Sequence, residues 1–378
     1  MTMTPAVRSR ARAAIFVVVA VIVTIAAAFG VRLAIAHGDF NMAQAVRLDQ
    51  AVQLAHSEGE LDAAIAQADA DVALAQAALE AVPVGYVSGE AAAALTDSRT
   101  NLAAAIDDAA GEAIDLPEAP QASFDATAVW SAADDALDQA KDAHAAADAQ
   151  AAAIDALSAA ELVNEDAGAA LLASAKLLAT TILPVNPSVA NLPHLDFLKL
   201  QASLGAQEEL DAETVDLLTK YVTAANTVSA SHAAEEAEKA GPLYGLRSEV
   251  EAYARSIAGG VLLDFNWQPM VIGYSMAGTA TIESSPPYFY STITLTNSIA
   301  ENWGETTPVS LVTHEVGHAI TSKCMDLFNS AFGGDYERWA TAWAMSWGYP
   351  AGPSGANQYG VPSADQVAIA GTCRTSTS

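Results

Sequence analysis

"TPVSLVTHEVGHAI", residues 307–320, decides how the C-terminal part of this chain is to be read. Thr307 suits a helix cap and Pro308 the first helical position, so a helix is expected to begin near Thr306 or Thr307. On it His314 and His318 stand four residues apart and project from one face. Two imidazole nitrogens can then reach one ion at about 2.0–2.1 Å, the distance zinc takes. Glu315, at the edge of that face, is badly placed as a third ligand but well placed to take a proton from water at the metal. H-E-x-x-H therefore reads as two ligands and a general base. An ordinary buried helix would instead desolvate two histidines and a glutamate with nothing to offset the cost. Gly317 leaves room behind the ligands for another element to pack closely.

A catalytic zinc needs a third protein ligand and an open position. No histidine follows His318, and the downstream acids are Asp326, Asp335, Glu337 and Asp365. Asp326 is eight residues along the same expected helix, on the order of 12 Å away. Asp365 lies in a Gly/Pro/Ser-rich tail. Asp335 follows Gly333-Gly334 and reads as the N-cap of a helix over "DYERWATAWAMSW" (335–347). Glu337 falls in its first turn, with Ala340, Thr341 and Ala344 sharing roughly one face, small enough for close helix contact. Glu337 is the expected third ligand and Asp335 the alternative.

Upstream of this site the composition is β-like. Five of the six Trp lie beyond residue 260, with the runs "GGVLLDFNW" (259–267), "MAGTATIES" (276–284) and "YSTITLTNS" (290–298). The last alternates Thr with apolar residues, as a half-buried strand does. "GYSMAG" (273–278) has the G-x-S-x-A form of a serine-hydrolase elbow. That elbow needs a helix directly after the serine and a later free histidine. Strand and turn residues follow instead, so the stretch reads as a turn before a strand.

Residues 40–182 are rich in Ala, Asp, Glu and Gln, a composition that favours helix. Leu61, Ile65, Ala68, Val72, Ala75, Leu79 and Val82 form an a/d stripe. A second stripe runs Trp130, Ala133, Leu137, Ala140, His144, Ala147, Ala151 and Ile154, which makes His144 a seam residue rather than a ligand. A shorter one holds Leu95, Leu102, Ile106 and Ala109. "AVPVGYVSGE" (81–90) and "DLPEAPQAS" (115–123) break the pattern. The expectation is an alanine-packed antiparallel bundle or stalk, serving as a spacer, a docking module for a helical partner, or a dimer contact. "ILPVNPSVANLPHL" (182–195) reads as a linker with His194 in a loop, and helix returns over 206–240.

Residues 13–31, "AAIFVVVAVIVTIAAAFGV", carry no charge, and nineteen residues of helix roughly span a hydrocarbon core of about 30 Å. Arg8, Arg10 and Arg12 precede the run, while Arg32 and Arg47 follow it. The positive-inside bias then leaves the N-terminus in the cytoplasm and the body outside. "AIA" at 34–36 allows a cleaved signal peptide as the alternative. Either way the body is exported, a compartment in which Cys324 and Cys373 can close a disulfide. The net charge is −29, with 34 acids against 7 bases over 37–240. Such a body repels phosphate backbones, which argues against a nucleic-acid partner.

The whole reads as an α+β chain. A tail and membrane helix occupy 1–36, the helical bundle or stalk 37–182, a linker and helical connection 183–240, and a mixed unit with a short sheet and two active-site helices 241–378. HEVGH, followed 19 residues later by the Glu of "ERWATAWA", resembles the gluzincin branch of the zincin metallopeptidases over roughly residues 260–350. That resemblance implies an exported zinc endopeptidase, with His314, His318 and Glu337 on zinc and Glu315 as base. An extended peptide would lie along a sheet edge, for which "STITLTN" (291–297) is nominated. Some members carry an Asp four residues after the third ligand to orient a ligand histidine; here that position is Thr341. Members also use a downstream His or Tyr to stabilise the oxyanion, and Tyr336, Tyr349, Tyr359 and Arg338 are the candidates here. The second reading is an exported binding or structural protein with an inactive zincin-like domain, against which the intact Glu315 counts.

Overall fold

The structure is a computed structural model that describes residues 5–112, 114 and 116–374, with side chains from residue 16. The side chains of Arg8, Arg10 and Arg12, and Asp115 at the head of the second break, lie outside the described residues. The chain forms two compact units, residues 1–80 with 89–171, and residues 81–88 with 172–378.

The first unit is helical. α1 (Pro5–Ala81) is a single helix, α2 is Gly89–Ala110, and α3 begins at Ala126 and runs to Val185. Asp125 starts α3 by accepting from the N–H groups of Thr127 and Ala128. From Phe16 to Arg32 every described side chain of α1 is exposed, although the run is apolar on all sides. A helix hydrophobic all round is built for a non-aqueous surrounding, and this one is long and apolar enough to cross a bilayer. The packed part begins at Ala36 and Phe40, which meet Ala126, Val129, Ala132 and Ala136.

α2 runs antiparallel to its neighbours, with Leu102 and Ile106 packed on Leu61, Ala68 and Leu157, and Ser98 bonded to Asn164 at 3.1 Å. Beyond the end of α2 the arrangement differs from a bundle of antiparallel helices. Leu54 meets Ala143 and Ala146, and Arg47 pairs with Gln139, so α1 and α3 run parallel there. The proline-rich break replaces a third helix. Pro117 and Pro120 offer their carbonyls to Arg47 and Gln44, and Leu116 inserts beside Leu54. Proline, with no N–H to satisfy, suits such an extended strap.

The stripe of 61–82 is found buried or half-buried, and Leu95, Leu102, Ile106 and Ala109 are buried. The α3 stripe is met in part: Ala133 and Ala140 are buried as expected, and Val129, Ala132, Ala136, Ala143 and Ala146 complete the seam, while Leu137 is exposed. His144 is exposed too and faces Asp148, so it is not a seam residue. Alanine lets the helix axes approach, so the small residues take the contact and the larger ones are displaced to its flanks.

The second unit carries the sheet. α3 continues through Pro184 to Val185, so the expected linker shrinks to 186–190. α4 (Asn191–Ala206) admits Pro193 in its first turn, where the missing N–H has no intrahelical partner. His194 is therefore helical, not in a loop. α5 (Ala212–Glu238) returns against α4, and α6 (Tyr244–Ile257) leads into the sheet. Its strands are β1 (Leu262–Gln268), β2 (Gly278–Ala280), β3 (Glu283–Ser285) and β4 (Tyr288–Thr296). β4 is central: β1 pairs with it in parallel on one side, β2 and β3 antiparallel on the other. A short α7 (Asn297–Glu301) precedes α8 (Thr306–Ala319), which is followed by α9 (Met325–Phe332), α10 (Tyr336–Ser346), α11 (Asn357–Tyr359) and α12 (Ala364–Thr372).

The core lies between the sheet and these helices, and includes Phe265, Ile293, Leu295, Val316, Trp339 and Trp343. The expected Cys324–Cys373 disulfide is present and ties α12 to the start of α9. A buried ion cluster joins the connection to this core. Lys239 meets Glu251 at 2.9 Å, Glu236 at 2.7 Å and Ser188 at 2.7 Å, while Trp267 and Arg255 also donate to Glu251.

Near this cluster, burial and the charges of Asp264, Glu238 and Glu251 push the Glu235 carboxyl up from its ordinary 4.5 to about 7. Between those two values the folded chain holds a proton that the unfolded chain has released. Stability therefore falls as pH rises from about 4.5 to 7, by roughly 1–2 kcal/mol after solvent screening. Glu235→Gln is expected to flatten that part of a urea-midpoint profile and to stabilise the chain above pH 7. An unchanged slope would contradict the assignment.

Candidate metal centre

α8 starts at Thr306, within the expected range, but its N-cap is Glu305 rather than Thr307, and Pro308 lies inside its first turn. It ends at Ala319, and Asp326 falls in the first turn of α9 rather than on the same helix. α10 begins as the sequence suggests: Asp335 is the N-cap and accepts from the Arg338 N–H at 3.0 Å. The two helices approach closely because of Gly317. A Cβ there would lie 2.8 Å from Ala340 Cα and 3.0 Å from Trp343 Cδ1. Trp339 locks the crossing by donating its indole N–H to the Gly317 carbonyl at 2.8 Å.

That crossing brings Glu337 over the two histidines. Its Oε2 lies 3.1 Å from His314 Nε2 and 3.5 Å from His318 Nε2. The three donor atoms all fall within 4.8 Å of one another, the only such group of three or more His, Cys, Asp or Glu among the described residues. Two imidazoles and a carboxylate suit a divalent transition metal, and the set fits zinc. Asp335, the alternative ligand, is committed to its cap and to Arg338 at 3.5 Å.

Burial works against a charged His314, but its hydrogen bond to Glu337 and the charges of Glu315 and Glu337 outweigh it and raise its pKa. Burial likewise opposes ionisation of Glu337, yet the two histidines hold its carboxyl down at about 2. The Glu337 carboxylate thus keeps its charge, as a side chain that is to hold a metal ion must.

His314 is oriented by a group the sequence did not reveal. Its Nδ1 is 3.0 Å from the carbonyl oxygen of Ser354, in the wide turn Gly352–Ala356, and donates to it in the tautomer that frees Nε2. The Ser310 and Ser354 hydroxyls, 2.9 Å apart and buried, fix that turn on α8. A backbone carbonyl, rather than the side chain at position 341, therefore orients His314. Thr341, at that position, keeps its hydroxyl buried and without a hydrogen bond. Gly355, at φ +99°, permits the close approach: a Cβ would come within 3.2 Å of His314, Thr341 and Tyr359.

Glu315 is buried beside the ligands, under β2. A Cβ on Gly278 would stand 2.7 Å from Glu315 Cγ, so only glycine fits between this strand and the carboxylate. Burial raises the Glu315 pKa against the pull of His314 and His318. A cavity of about 300 Å³ opens in front, lined by Gly278, Thr279, Ala280, Tyr336, Glu337 and Tyr359 among others. A second, of about 370 Å³, adjoins it on the side of Met276, Leu311 and Gly352.

The tyrosine candidates separate. Tyr359 lines both cavities and stacks on the His314 ring, centroids 6.0 Å apart. Tyr336 lines the first cavity while packing on Phe328. Tyr349 lines neither, because its hydroxyl is 2.9 Å from that of Tyr253, which in turn bonds to Thr313. Arg338 pairs with Asp335 instead of facing the ligands.

The nominated edge strand needs correction. "STITLTN" lies in β4, which is paired on both sides. The strand bordering the cavity is β2. Ala277 and Thr281 bond to β4, and bonded positions alternate, so Gly278 and Ala280 direct their N–H and C=O groups away from it. Alternation along β4 told which face is buried, not which edge is free.

No family model matches this chain, and no curated protein or solved structure is found to match it.

Proposed function

We propose that the chain is a membrane-anchored, zinc-dependent endopeptidase of gluzincin-like kind. The observation that carries this reading is Glu315, buried beside the His314–His318–Glu337 group and directly under an outward-facing strand edge. A site that only bound metal for structure would have no use for a carboxylate there. Zinc, when bound by those three side chains, supplies Lewis-acid polarisation and an acidified water. Everything else is done by the chain. Glu315, with its raised pKa, takes a proton from the attacking water and returns it to the leaving amine. Gly278 and Ala280 pair with an extended peptide by strand addition, which favours unfolded or flexible substrates. Tyr359, which lines both cavities and stacks on His314, is the proposed donor to the developing oxyanion, with Tyr336, which lines the first cavity, as the second.

The exposed apolar stretch of α1, continuous with the packed helix at Ala36, supports an anchor that is retained. The arginines before it support a body outside the membrane, and the disulfide fits such an oxidising space. The experiment is digestion of an unfolded protein by the full chain in detergent. Cleavage that stops with a chelator and returns with zinc supports the reading. Cleavage indifferent to chelation overturns it. A chain that binds zinc and cuts nothing favours the exported binding protein.

A further inference from the structure

The hairpin tip over the cleft breaks a local rule. Val271 and Tyr274 exchange backbone hydrogen bonds at 3.0 and 2.9 Å, with two residues between them. Ile272 has φ +49° and Gly273 φ +80°, the mirror-image turn in which Asn-Gly or Gly-Gly is favoured. Gly273 obeys that preference. Ile272 is the one non-glycine at positive φ among the described residues, and its branched Cβ makes the left-handed conformation costly.

The fold gains nothing visible in exchange. The Ile272 side chain is 76% exposed, whereas its neighbour Val271 is 5% exposed and anchors the tip. Met270 and Tyr274, exposed as well, flank it. An isoleucine here is unfavourable for the turn and unfavourable in water. Yet, like Tyr359, it lines both cavities beside the His314–His318–Glu337 group. A residue that costs the free protein on two counts and overhangs both cavities finds its compensation in what the cleft takes up.

We propose that Ile272 is a specificity-determining residue, the outer wall against which an apolar side chain next to the cut bond of an extended peptide packs. This rests on the peptidase reading, and the test separates the two. A library of peptides from a digested proteome is given to the full chain and to Ile272→Asn, Ile272→Gly and Ile272→Val. Asn and Gly relieve the turn, so both are expected to raise Tm by roughly 2–4 °C with zinc content unchanged. Both are expected to lower kcat/KM for peptides with a flanking apolar residue about tenfold, mostly through KM, and to flatten that preference. Valine retains it.

Peptide capture by Glu315→Gln, with and without Ile272→Asn, runs alongside. Cleavage with a profile and KM that ignore residue 272 overturns this proposal and leaves the peptidase reading standing. No cleavage, but capture that depends on Ile272, overturns the peptidase reading and keeps the contact. No cleavage and capture insensitive to residue 272 overturns both.

Discussion

Glu315→Gln is expected to lower peptide cleavage by about 10²–10⁴-fold while zinc content and Tm stay unchanged. Gln has the shape of Glu, so it keeps the close packing of this side chain under Gly278. It cannot accept and return a proton at neutral pH. The neighbouring His314 and His318, the proposed ligands, are untouched, and the Ser354 carbonyl still orients His314. The assay is single-substrate kinetics on a peptide cut by the wild type, with metal measured on the same preparation. Full activity in the variant would remove Glu315 from the chemistry. Loss of activity together with loss of zinc would make it a positioning residue instead.

Lys239→Met carries the largest expected effect on stability, a loss of about 3–5 kcal/mol. Lys239 and Glu251 are 5% and 4% exposed at the side chain and meet at 2.9 Å. Burial opposes the Lys239 charge, but Glu236 and Glu251 raise its pKa regardless. Removing the ammonium leaves Glu251 buried with Arg255 and Trp267 alone. The measurement is the urea midpoint, with Lys141→Met as the control. That lysine faces Asp138 in full solvent, so no measurable change is expected. A loss in Lys239→Met no larger than in the control would show that the cluster does not hold this unit together.

The parts of the site that the sequence revealed are those that depend on local period and local chemistry. His314 and His318 share a face because helices repeat as they do. Asp335 caps α10 because it follows two glycines, and that cap places Glu337 in the first turn. Gly317 marked the close crossing before any partner was known. What was not legible depends on contacts that leave no side-chain signature. Ser354 acts through its carbonyl, which every residue possesses, and it lies 40 positions from His314. The free edge at β2 follows from strand order, which the alternation in β4 does not encode. The α3 stripe was met at Ala133 and Ala140 but not at Leu137 or His144, because alanine sits on several faces of that helix and the pattern fixed a helix more firmly than its rotation. Ile272 was passed over because an isolated isoleucine signals nothing until its backbone angle and exposure are seen.

The most direct test is the metal itself: zinc content of the purified full chain, with the donor set read by X-ray absorption, for the wild type and Glu337→Ala. One zinc per chain with two imidazoles and a carboxylate oxygen at about 2.0–2.2 Å, lost or much weakened in the variant, is the predicted result. A chain that takes up no zinc under loading conditions, or holds it equally well without Glu337, would contradict the centre proposed for this fold.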